Sequence, residues 1–182
     1  MAEEQRQKLL DAAIEYVANN GITELSLRSL AEELGTSHRM LIHHFGSKDA
    51  LWVAIIREVE ARQRAGLADV LPDPTAPFDE AMRAWWRHIS SPALWPNERL
   101  FFEVYAQGLR GREPSVQLLD GIVDDWVKPI AAMTGEPYAR LCVAVTRGLL
   151  LDLLATGNRK AVDTAMDQFI ALGRPSVRSP RS

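Results

Sequence analysis

Three of the chain's four histidines, His38, His43 and His44, fall within one short stretch. Histidines in such proximity raise the question of a metal ion. A helix aligns ligands at i, i+3 or i, i+4. His43 and His44 are adjacent and diverge by about 100° around a helix, and His38 and His43 are five apart. His88 is remote, and the single cysteine, Cys142, has no partner motif. The spacing therefore predicts no metal site, and no other cofactor is expected. Paired carboxylates, a nucleophile with its base and a glycine-rich phosphate loop are all missing from the pattern, so the chain reads as a non-enzyme. The same stretch suits a different chemistry. No Asp or Glu occurs from Gly35 to Lys48, while Arg28, Arg39 and Lys48 are basic. Side chains of this kind neutralise phosphates and read base edges. His38, Met40 and at least one of His43 and His44 are expected at the same surface, the other histidine packing beneath the helix. The backbone at Ser26, Thr36 or Ser37, and Ser47 would add N–H donors at helix starts.

These residues need a frame. Leu27, Leu30, Ala31 and Leu34 recur at i, i+3, i+4 and i+7, one apolar face of a helix. Ser26 precedes it as an N-cap and Gly35 ends it. Thr36 or Ser37 then caps a second helix, His38 to His44, with Leu41 and Phe45 turned inward. Two helices about a tight turn, the second presented outward, make a helix-turn-helix. An amphipathic helix from Glu4 to Asn19, with Leu10, Ala13, Ile14 and Val17 inward, precedes the pair. A fourth helix follows Ser47 and runs through Leu51, Ile55 and Val59 toward Leu67.

Residues from about Arg6 to Arg57 resemble the DNA-binding domain of the TetR (tetracycline-repressor) family. The resemblance is carried by Asn20-Gly21-Ile22, by Ser26-Leu27-Arg28-Ser29-Leu30-Ala31, by Leu34-Gly35-Thr36-Ser37 and by the run from His43 to Leu51. The family often has Gly, Thr and Tyr where this chain has Arg39, Met40 and Ile42, so base preference does not carry over. The resemblance implies a homodimeric regulator that represses from a palindromic double-stranded operator and is released by a small-molecule effector, helix 4 acting as the lever. A helical adaptor without sequence-specific DNA binding is the alternative left open by those three residues.

The remaining chain also reads as helices: Phe78 to Ile89, Pro96 or Asn97 to Leu109, Pro114 to Met133 with a break or bend at Lys128-Pro129, Tyr138 to Thr156, and Arg159 to Leu172. The segment LPDPTAP, Leu71 to Pro77, is a linker. The expected organisation is all-α: a helix-turn-helix domain over 1–46, a helical effector-binding and dimerisation domain over 47–173, and a disordered tail over 174–182. The second domain concentrates large flat side chains. Met82, Trp85, Trp86, Phe101, Phe102, Tyr105 and Trp126 suit either a packed core or a pocket for an apolar or aromatic molecule. Arg147 lies within an apolar run, either paired with Asp124 or Asp125 or clamping an anionic ligand group. The helix around Leu149, Leu150, Leu153 and Leu154 is apolar almost all round and needs cover. Together with Met166 and Phe169 it is assigned to a two-fold seam, the alternative being a central core helix within one monomer.

At 182 residues, 47% hydrophobic and 25% charged, the chain is an ordinary globular one. Its net charge of −3 opposes nucleic-acid binding only if spread evenly, since local potential governs affinity. The polar N-terminus is unlike a signal peptide, no run reaches membrane-spanning length, and one cysteine fits a reducing compartment. A cytoplasmic location is expected.

Overall fold

The computed structural model describes residues 2–20, 26–66 and 77–173. Gly21, Ile22, Leu67, most of the proline-rich linker and the tail over 174–182 lie outside the described residues, as do the expectations attached to them. Every regular element described is helical. Helix α1 spans Ala2–Asn20, α2 Leu27–Glu33, α3 His38–Phe45 and α4 Lys48–Ala65. Beyond the linker come α5 (Phe78–Ile89), α6 (Trp95–Leu109), α7 (Asp124–Thr134), α8 (Glu136–Thr156) and α9 (Arg159–Leu172), with short 3-10 turns at Pro92–Leu94 and Ser115–Leu119. No described helix is long and apolar enough to cross a membrane.

The turn between α2 and α3 is built by its own sequence. The Gly35 N–H donates to Glu32 O at 3.1 Å and the Thr36 N–H to Ala31 O at 2.9 Å. Those two bonds close the last helical carbonyls around a residue at φ +61°, a conformation that glycine adopts without steric cost. Ser37, not Thr36, caps α3, accepting from the Met40 N–H at 3.2 Å. Ser26 and Ser47 cap α2 and α4, each accepting an amide at 3.0 Å.

Leu27, Leu30 and Ala31 of α2, Leu41 and Phe45 of α3, and Leu10, Ala13 and Val17 of α1 are buried together. Ile14 is only partly covered. Leu51, Ile55 and Ile56 of α4 are almost wholly enclosed, and the same apolar cluster continues through Leu100, Phe101 and Val104 of α6 to Leu118 and Ile122. Complete burial of one such side chain contributes about 1.5–3 kcal/mol, so the helix-turn-helix is welded to the body by ordinary core packing. Arg62 of α4 reinforces the joint by pairing with Asp11 of α1. A second cluster joins α5, α7, α8 and α9.

One expected break moves. The chain is interrupted at Asp120 to Val123, with Gly121 at φ +77°, and α7 passes through Pro129. Proline removes the hydrogen bond to the carbonyl four residues back, that of Asp125. Asp125 and Pro129 are both exposed, so water can take that carbonyl and the helix continues.

Candidate nucleic-acid interface and effector cavity

The capped turn holds α3 with His38, Arg39, Met40, Ile42 and His43 outward; Met40 and Ile42, both apolar, are 38% and 37% exposed. Ser26, Arg28, Ser37 and Lys48 are exposed beside it, and Thr36 is half-buried. The Lys48 ammonium lies 5.7 Å from the Trp52 ring centroid, which braces its stem while leaving the charge in water. His44 departs from the expected contact set. It is half-buried, edge-on to Phe45 with centroids 6.4 Å apart, and its Nε2 is enclosed with no hydrogen-bond partner among the described residues. The 100° turn between neighbours sends His43 out and His44 in. Among the described residues no group of three or more His, Cys, Asp or Glu is placed to hold a metal.

A cavity of about 40 Å³ lies in the body, walled by α4, α5, α6, α7 and α8. Of the aromatic and sulfur-bearing residues expected at a pocket, Met82, Trp85, Phe101 and Trp126 line it, and so does Arg147. The others do different work. Trp86 is buried and donates its indole N–H to Asp163 of α9 at 2.7 Å. Phe102 meets Phe101 edge-on, and Tyr105 stacks on Phe101 at 5.5 Å. Trp85 and Trp126 touch each other, centroids 4.9 Å apart.

Arg147 pairs with neither Asp124 nor Asp125. Its guanidinium donates to the Ile122 carbonyl at 2.7 Å and covers the rings of Phe101 and Tyr105 at 5.1 and 5.9 Å. The chain break before α7 frees that carbonyl. Asp124 instead accepts from Arg140 at 3.2 Å, and Asp125 lies 3.7 Å from Arg64. Burial pulls the Arg147 pKa below its usual value, against the opposing charges of Glu60 and Glu98.

Those two carboxylates escaped the sequence reading, and both line the cavity. Glu60 of α4 accepts the Trp126 indole N–H and lies 3.5 Å from Arg64. Burial raises its pKa, with the Trp126 hydrogen bond acting against the rise. Glu98 of α6 is 5% exposed and accepts from the Gln63 amide at 3.2 Å. Burial pushes it up to about 7; Gln63 and Arg147 hold it down, and the charge of Glu60 adds to the rise. Periodicity held the signal. Val53, Ile56, Glu60 and Gln63 share one α4 stripe at i, i+3, i+7 and i+10, and Glu98 stands three and four residues before Phe101 and Phe102.

The expected seam is also redrawn. Leu150, Leu153 and Met166 are 1%, 0% and 1% exposed within one protomer, and Leu149, Leu154 and Phe169 are half-buried. Phe169 stacks on Tyr138 at 6.0 Å. The open side of α8 carries Leu141, Ala144, Gly148, Leu151 and Ala155, with Leu141 and Leu151 48% and 53% exposed. A helix apolar all round does need two covers, but α5, α7 and α9 already supply the one over Leu150 and Leu153.

The family model for bacterial regulatory proteins of the tetR family matches residues 9–55. The HTH-type transcriptional repressor Rv1474c of Mycobacterium tuberculosis is 27% identical over 86% of this chain and 94% of its own length. Among solved structures, a TetR-family member from Streptomyces coelicolor, SCO1917, superimposes with TM-score 0.69 at 29% identity, covering 93% of this chain and 98% of that one. The multidrug binding protein EbrR, complexed with proflavin, does so with TM-score 0.67 at 29% identity, over 92% and 98%. With the capped turn, the outward α3 and the helical body behind them, these likenesses agree: residues 9–55 match the DNA-binding domain of the tetR family, and the chain as a whole is similar to TetR-family bacterial regulatory proteins.

Proposed function

We propose that the chain is a homodimeric transcriptional repressor that binds a palindromic operator through α3 and leaves it when a small aromatic molecule enters the body cavity. The observation that carries this reading is the course of α4. Its first turn holds Lys48 beside α3, and its last turns put Glu60 on the cavity wall and Gln63 against Glu98. A ligand that displaces Glu60 or Glu98 therefore acts on the helix that positions the recognition surface. It shifts the DNA equilibrium by its difference in affinity between the two arrangements. In this reading Arg39 and Met40 face base edges and Arg28 assists from α2. Ser26, Thr36, Ser37, His38 and His43 border the contact, and Lys48 takes phosphate. The naming of Rv1474c as a repressor and the proflavin complex of EbrR support it by similarity. The dimer buries the open side of α8, Leu141, Ala144, Gly148 and Leu151, against its two-fold copy and places the heads for half-sites about 34–36 Å apart or a multiple of that. Selection from random DNA, followed by mobility shift with the selected site and with DNA flanking its own gene, tests the reading. A palindromic consensus bound by two chains is expected. Uniform weak binding of all sequences would instead support the adaptor reading.

A further inference from the structure

Resting on the effector reading above, we propose that the cavity takes a monocationic amphiphile with a flat aromatic body, its cationic centre against Glu98 and Glu60 and its rings toward Met133.

Several independent features point this way. The polar wall of the cavity consists of two carboxylates, Glu60 and Glu98, with Thr146 and one guanidinium. That guanidinium is not an open anion clamp, because Arg147 is committed to the Ile122 carbonyl and to two ring faces. Glu60 has company: the Trp126 indole, and Arg64, which stands outside the cavity lining. Glu98 is held only by the neutral Gln63 amide through Oε1, and no described residue hydrogen-bonds its Oε2. Buried charges are paired or else neutralised, so Glu98 is the acid with an unfilled place beside it. A cation within reach of Trp85 also gains from its ring face; Phe101 and Trp126 already carry Arg147 and Arg64 at 5.1 and 5.7 Å. An anion in the same place would meet two carboxylates.

The shape agrees. A second space, about 70 Å³ and almost wholly apolar, lies behind Met82, Trp85, Trp126 and Ile130, which wall both spaces. It continues past Phe78 and Pro129 to Met133, which is 60% exposed. Neither space holds a ring as it stands, nor do the two taken together, since benzene occupies an apolar cavity of about 150 Å³, so an aromatic body must widen the cleft as it enters. Parting the touching Trp85 and Trp126 rings joins them. The joined cleft is apolar at the Met133 mouth and acidic at the α4–α6 floor, the polarity of an aromatic quaternary ammonium or amine. Its floor is where α4 meets α6, so the cation replaces the Gln63–Glu98 contact.

Binding of a fixed-charge cation should strengthen with pH. The titratable and charged groups acting on Glu98 or sharing its cavity are Glu60 of α4, and Arg147 and Cys142 of α8; further out, Arg64 of α4 and Asp125 of α7 act on Glu60, Tyr105 of α6 lies under Arg147, and His88 of α5 lies tilted against Trp85 at 5.7 Å. Cys142 is pushed up to about 11 by burial and stays neutral below pH 9. Glu98, at about 7, is the group expected to deprotonate, giving about a tenfold gain in affinity between pH 6 and pH 8.

The test uses three probes with one body: (2-naphthylmethyl)trimethylammonium, 2-naphthylmethanol and 2-naphthylacetate. Each is titrated into the full chain and followed by tryptophan quenching at pH 6 and pH 8. The cation should bind tightest, gain about tenfold at pH 8, and lose tenfold or more in Glu98→Gln; Glu98→Asp should retain the preference for the cation. Glu60→Gln is the second variant, and circular dichroism confirms that each variant folds. Tightest binding of the acetate or the alcohol overturns the proposal. So does an unchanged cation affinity in folded Glu98→Gln, or no binding of the cation at millimolar concentration. A parallel arm measures release of the selected DNA. A cation that binds through Glu98 without releasing DNA sinks the effector reading and leaves the cavity assignment standing. Release by the acetate or the alcohol does the reverse.

Discussion

Glu98→Gln should stabilise the free protein, and only above a definite pH. In the folded chain Glu98 is raised by burial from an ordinary 4.5 to about 7. The folded state then binds more protons than the unfolded state between those values, so stability falls as pH rises from about 4.5 to about 7 and is level above. The full penalty corresponds to about 3 kcal/mol. Glutamine keeps the shape and can still accept from Gln63, but it carries no charge to desolvate. At pH 8 the variant should therefore exceed the wild type by up to about 3 kcal/mol, or about 6–12 °C in Tm for a chain of this size. Near pH 4.5 the two should coincide. Thermal melts of both proteins from pH 4.5 to 8.5, at one protein concentration, give the difference curve, in which the titrations common to both cancel. A gap that does not depend on pH, or a variant less stable than wild type at pH 8, would refute the claim that Glu98 carries an uncompensated buried charge.

On the DNA side, Arg39→Ala should cost about 1–3 kcal/mol on the selected site and little elsewhere. Lys48→Ala should weaken all sequences alike and flatten the logarithmic salt dependence by about one unit, read by fluorescence anisotropy across a salt series. In assembly, Leu151→Glu should yield a folded monomer by sedimentation, whereas Leu153→Glu should fail to fold, because Leu153 is fully enclosed and Leu151 half open. Ser37→Ala should lower stability by about 1 kcal/mol through loss of the α3 cap, measured by urea unfolding.

The helix-turn-helix was legible because its information is local. Capping serines, a glycine at the turn and a 3.6-residue apolar stripe specify α2 and α3 with little help from distant residues. The choice of Ser37 over Thr36 was not legible, since either hydroxyl can cap, and neither was the inward turn of His44, which lies beside Leu10 of α1 and Ala50 and Val53 of α4. The body showed the opposite balance. Its helices could be read, but the aromatic residues could not be sorted by type. Trp86 and Trp85 are adjacent and chemically identical, yet one binds Asp163 of α9 and the other walls the cavity. Arg147 likewise chose a carbonyl released by a break displaced from Pro129. Leu150, Leu153 and Met166 were assigned to the seam for a related reason: an apolar helix announces that it needs cover on every side, and Leu150 looks the same whether that cover comes from its own chain or another.

Among the described residues, α1, α2, α3, α4 and α6 share one apolar cluster, which leaves no soft joint between reading head and body. A head on a flexible tether would answer effector in proportion to occupancy, each increment of ligand loosening it a little. Close-packed interiors do not bend by degrees; they exchange one arrangement of side chains for another. A repressor of the proposed kind, built this way, throws like a latch, and its set point is stored in side-chain volumes. Trimming Val104 or Leu118, which touch neither nucleotide nor cavity, would move the threshold concentration at which transcription begins. In the proposed repressor, gene expression is thus tuned by the interior while both binding surfaces stay unaltered.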